Sequence, residues 1–173
     1  MRKGLLKAAL ALACGSYAPL CRAQEAAKGP QPERTQAAVE LTQEDRATLV
    51  KLALERALVD REIPEFDVMS KYDSFLLSTE NIDAESVPTL ENVKLRVLEP
   101  EKIKEIAEAR GSYVYYLLFR KFKSVGDQVV VELDCVPMYS SKDKVTGFGG
   151  GLSINYVKQD GKWVEKEFSR GIA

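Results

Sequence analysis

The sequence predicts an α+β domain: a curved antiparallel sheet of about four to six strands packed on one long N-terminal helix, with a second short helix. Three observations carry this. The last third, 113–170, reads as four consecutive strands at Tyr113–Lys123, Gln128–Met138, Gly150–Gln159 and Lys162–Arg170. A helical apolar stripe runs through Thr42–Val59. A proline and a glycine bracket a shorter helix at Glu101–Arg110.

Period-two alternation marks the half-buried strands. In Gln128–Met138, Val129, Val131, Leu133 and Cys135 share one face, and Val130, Glu132, Asp134 and Val136 share the other. In Gly150–Gln159, Leu152, Ile154 and Tyr156 oppose Ser153, Asn155 and Val157. The turns at 124–127 and 159–161 each contain a glycine and suit three-residue loops with a bulge at the glycine. That register sets Phe119 opposite Val131 and Leu117 opposite Leu133 in the first hairpin. In the second it sets Tyr156 opposite Val164 and Leu152 opposite Phe168. A two-residue Asp160-Gly161 turn would put Tyr156 against Glu165, so the three-residue register is preferred.

The long helix starts at Thr42, a good N-cap, with Glu44 and Asp45 near the positive end of its dipole. Val50, Ala53, Leu54, Ala57 and Leu58 recur at helical spacing, widened by Leu49 and Leu52. Such a stripe needs an apolar surface, which the sheet supplies. The chain stays irregular over 63–73, and Pro64 ends the helix. Short strands are expected at 74–79 and 93–98, separated by an acidic loop at 80–91. Pro100 at a first helical position and Gly111 just beyond the end frame the second helix, with Ile103, Ile106 and Ala107 as its stripe.

Residues 1–23 read as a secretory signal peptide, with basic Arg2, Lys3 and Lys7, a short apolar core, and Cys21-Arg22-Ala23 before the cut. The apolar run is too short to span a membrane. An alternative is lipoprotein anchoring through Cys14, after Ala11-Leu12-Ala13. Residues 24–40, rich in Ala, Gln and Pro, read as a disordered linker. Residues 41–173 form the single folded domain. The expected location is periplasmic or extracellular.

Composition removes several chemistries. The 173 residues contain no histidine, which excludes Ser-His-Asp and Cys-His catalysis, His-ligated zinc and a histidine pH switch. Residues 1–23 hold four basic residues and no acid. The rest therefore carries 21 basic against 26 acidic residues, a net charge near −5 that opposes nucleic-acid or anionic-lipid binding. With Cys14 and Cys21 in the leader, Cys135 is left alone on an apolar strand face, a core residue rather than an activated thiol. The Gly147-Phe148-Gly149-Gly150-Gly151 run opens a strand, not a helix, so it is a bulge or flap and not a phosphate loop. No cofactor or metal motif is present.

The one candidate site lies on the mixed sheet face. The expected register puts Tyr116 opposite Asp134 and Arg120 diagonal to Glu132. If enclosed, Glu132 and Asp134 would sit close enough to push one pKa up and serve as an acid–base pair in a cup with Tyr116. Arg120 and Asn155 are the binding candidates. If open, the same residues are cross-strand charge pairs of little energy.

The order of elements, with the closing hairpin Tyr156-Val157-Lys158-Gln159-Asp160-Gly161-Lys162-Trp163-Val164, resembles the cystatin-like and NTF2-like group, in which a curved sheet wraps a helix. The resemblance covers roughly 42–170. The Asp–His or Asp–Tyr pairs of catalytic NTF2-like domains are not carried over, because there is no histidine and no matching motif, and the Gln-x-Val-x-Gly protease-blocking loop of cystatins is absent. Function therefore rests on the site. The leading expectation is an exported, non-catalytic module that binds a protein or small ligand. The alternatives are an NTF2-like enzyme using the carboxylate and tyrosine pocket, and an envelope assembly or structural factor.

Overall fold

The computed structural model describes residues 40–144 and 147–172. The expected leader, with Cys14, and all of the linker but Glu40 lie outside the described residues. The fold is α+β, with a six-stranded mixed sheet in the order β2-β1-β3-β4-β5-β6.

Helix α1 spans Gln43–Leu54 and continues as a π-helical turn, Glu55–Val59. Thr42 and Asp45 form a capping box, which satisfies two amide donors that an open helix end would leave bare. A single turn, α2 (Phe66–Met69), lies in the stretch expected to be irregular. Strands β1 (Phe75–Ser78) and β2 (Leu95–Leu98) are short. Helix α3 spans Pro100–Arg110 and ends on Gly111 at φ 72°, a left-handed cap that suits glycine. Strands β3 (Val114–Val125), β4 (Gln128–Met138), β5 (Gly150–Gln159) and β6 (Lys162–Ile172) form the antiparallel remainder.

The expected all-antiparallel pairing is corrected at one end. β1 pairs in parallel with both β2 and β3. The chain leaves β2, crosses over β1 through α3, and returns as β3. A parallel return needs such a crossover, and α3 provides it. It also puts α3 on the sheet face opposite α1.

Both hairpin registers are corrected too. Each loop has two residues, Gly126-Asp127 and Asp160-Gly161. Asp160 and Gly161 both have positive φ, as a type I′ turn requires. Tyr156 does face Glu165. A bulge further along each hairpin returns the apolar residues to one face, but the pairs beyond it stay two residues from the expected ones: Phe119 faces Leu133 and Leu152 faces Arg170. In β3 the extra residue is Arg120, between the Phe119–Leu133 and Lys121–Glu132 pairs. In β6 it is Lys166, between the Asn155–Glu167 and Tyr156–Glu165 pairs. The bulge in β3 puts Phe119 and Phe122 on the same face, their rings stacked 5.3 Å apart.

The core faces follow the alternation. Val129, Val131, Leu133, Cys135, Leu152, Ile154 and Tyr156 are buried beneath Leu49, Val50, Ala53 and Leu54 of α1. Each such large side chain contributes about 1.5–3 kcal/mol of apolar burial. A smaller core on the opposite face joins Leu76, Val114, Tyr116 and Leu118 to Ile103 and Ala107 of α3. The closing hairpin is tied to the start of α1 at Asp45, which accepts from Lys158 Nζ and Trp163 Nε1, both at 2.7 Å.

Candidate functional site

The unlike coverage of the two faces creates the site. α1 covers one face along the antiparallel strands, whereas α3 covers the other only near β1 and the start of β3. Beyond α3 the polar residues of β3–β6 line an open, shallow groove of about 510 Å³.

Arg120, Glu132 and Asp134 line this groove together, but their partners differ from those the expected register gives. The bulge re-aims Arg120, whose Nε donates to Asp134 Oδ2 at 2.7 Å. Glu132 lies 3.7 Å from Lys121 Nζ. Asn155 Nδ2 donates to Glu167 Oε2 at 3.2 Å. Tyr116 pairs with Val136, and Leu118 takes the place opposite Asp134. Tyr116 is buried in the small core under α3, and burial pushes its hydroxyl pKa above the usual value. Each carboxylate in the groove therefore has a nearby cation and stands open to water.

Glycines shape the floor. A Cβ on Gly151 would overlap Asp134 Oδ1, so only glycine lets the carboxylate lie across β5. Gly171 stands opposite Gly151, with open space above it. On Gly150 a Cβ would come within 2.6 Å of Gly171 O and 2.7 Å of Pro64 Cβ. The glycine run thus serves close backbone packing at the start of β5.

The loop after β4 is tied down rather than free as a flap. Glu108 of α3 accepts from the Ser141 amide and hydroxyl, both at 2.8 Å. Asp143 accepts from the Tyr113 amide. Tyr115 and Tyr139 hydroxyls donate to the carbonyls of Phe148 and Gly147. Val145 and Thr146 lie outside the described residues.

Sequence reasoning missed two further places. One is a recess of about 190 Å³ beside the π-helical turn, where the buried Tyr156 hydroxyl and Arg56 Nε have no hydrogen-bond partner among the described residues. The π turn is the local irregularity that marks it, and no pattern of apolar spacing reveals a π turn. The other gathers Lys71, Arg96 and Arg110 from three separate segments. Only the crossover through α3 brings those segments together.

Among the described residues, no three Cys, Asp or Glu side chains are placed to hold a metal ion. Nor is any described helix long and apolar enough to cross a membrane.

No protein-family model matches the chain. No curated protein matches it either. Among solved structures, a de novo designed β-sheet protein of cystatin fold is similar at 15% identity, covering 44% of this chain and 99% of its own, with a TM-score of 0.26. That likeness is a weak resemblance of fold, shows no family and carries no functional argument.

Proposed function

We propose that the chain is an exported, non-catalytic binding module whose ligand seat is the open groove on β3–β6. The observation that carries this reading is the groove's make-up: a glycine floor at Gly151 and Gly171 beside side chains that already have ionic partners. An acid–base enzyme needs a desolvated carboxylate held near neutral pH. Charges paired at an open surface instead lend orientation and selectivity to a docking partner. Export rests on the leader-like residues 1–23 and is tested by fractionating cells that express the full chain.

The groove is tested by photo-crosslinking. A photoreactive residue at Ser169 lines it, and one at Lys102 on the exposed side of α3 is the control. A product specific to Ser169, lost on Gly171→Trp, supports the reading. Gly171 has open space above it, so that substitution fills the groove without touching the core. Identical products from both positions, or none, would refute it.

A further inference from the structure

A second charged recess lies at the far end of the sheet, independent of the groove. α3 runs back over β1 from the end of β2, so its last turn returns to the start of both strands. Arg110 on that turn, Arg96 on β2 and Lys71 after α2 line one recess of about 270 Å³. Tyr72, Asp73 and Ser74 complete its rim.

Among the described residues, none of the three cations has an ion-pair partner. Arg110 is held in place without one, its guanidinium carbon 4.6 Å from the centre of the Tyr72 ring. A guanidinium stacked on a ring keeps its in-plane N–H groups free for an oxyanion. Against the single Asp73 carboxylate the recess carries a net charge of +2, in a domain that is acidic as a whole. Two positive charges match a phosphate monoester, which carries close to two negative charges at neutral pH. Two arginine forks suit its oxygens better than lysine would.

We propose that this recess binds the head of a phosphate monoester. Arg96 and Arg110 donate to its oxygens, Lys71 adds charge, and the Tyr72 side flanks the ester group.

The test is titration of the full chain with phenyl phosphate, with acetate as the singly charged control. Binding should be tighter for phenyl phosphate and weaken with salt. Arg96→Gln and Arg110→Gln should each weaken it about 10-fold, the effect of losing one charge-assisted contact at an exposed site. Asp73→Asn should tighten it. Circular dichroism checks that the variants fold, as expected for exposed positions. Gly171→Trp should leave the affinity unchanged, so this site and the groove succeed or fail separately. Co-sedimentation with phosphatidylcholine vesicles, with and without phosphatidic acid, identifies the source. Vesicle binding that resists free phenyl phosphate points to a lipid head group, and binding displaced by it points to a soluble ester. Either outcome supports the site if the double arginine variant abolishes it. Failure to bind phenyl phosphate more tightly than acetate, or equal affinity in the double variant, would overturn the proposal.

Discussion

Replacing Asp45 with alanine should loosen the closing hairpin from α1. Asp45 is 9% exposed and accepts from four donors: the Thr42 amide and hydroxyl, Lys158 Nζ and Trp163 Nε1. Its loss leaves the Trp163 N–H buried without an acceptor, which costs about 1–3 kcal/mol. Loss of the capping box adds about 1 kcal/mol. Lys158 is 43% exposed and regains water, so its pairing contributes under about 1 kcal/mol. The expected total is about 3 kcal/mol, or about 10 °C in Tm for a domain of this size. Trp163 is the single tryptophan, so its fluorescence in urea follows the hairpin directly. The pH dependence has a definite sign. The Lys158 ammonium, then the Trp163 N–H, holds the Asp45 carboxyl well below its ordinary 3.8, against the opposing effect of burial. A depressed carboxyl stabilises the fold above pH 3.8 and loses that contribution as pH falls below it. The gap between wild type and Asp45→Asn should therefore narrow below pH 3.8. A cost under about 0.5 kcal/mol for Asp45→Ala, within the usual range for surface substitutions, or a gap that ignores pH, would refute the clamp.

Other expectations follow from single observations. Burial pushes the Cys135 thiol up to about 12, so in a full chain carrying Cys14→Ser and Cys21→Ser a thiol reagent at pH 8 should label only unfolded protein; full labelling of the native state would contradict this. Tyr156→Phe removes a buried hydroxyl that has no hydrogen-bond partner among the described residues, so urea midpoints should show stability within about 1 kcal/mol of wild type or slightly higher. A larger loss would mean that the hydroxyl holds a bound group. Gly150→Ala should destabilise by about 1–3 kcal/mol through overlap with Pro64 and Gly171, and Gly171→Ala by far less, as chemical denaturation can measure. Glu108 is held down to about 2 by the Ser141 amide and hydroxyl and by Lys104, so its hold on the loop is present above its ordinary 4.5 and lost as pH falls toward 2. Glu108→Gln should lower hydrogen-exchange protection of the Ser141 amide at neutral pH, and unchanged protection would count against that anchor.

Much of the fold was legible because local patterns agreed. Val129, Val131, Leu133 and Cys135 alternate in the sequence and are buried together. Thr42, Pro100 and Gly111 frame their helices by local chemistry that needs no tertiary contact. The hairpin registers were not legible, because a two-residue turn and a distant bulge cancel in parity. An apolar-face argument cannot distinguish that pair from a three-residue loop whose bulge lies at the turn glycine. The groove was legible only as residues that share one sheet face. Arg120, Glu132 and Asp134 share a groove, but the bulge chose Asp134 as the partner of Arg120, and α3 buried Tyr116.

The amino-acid sequence by itself determined the α+β class, the two main helices, the buried faces of β4 and β5, and the absence of histidine chemistry. Each of these depends on residue type or on spacing within one element. Tertiary structure alone decided the parallel pairing of β1, the open groove, the Asp45 clamp, and the meeting of Lys71, Arg96 and Arg110. These depend on which distant segments lie side by side. The crossover of α3 sets that neighbourhood at one end of the sheet, and the packing of the closing hairpin on α1 sets it at the other.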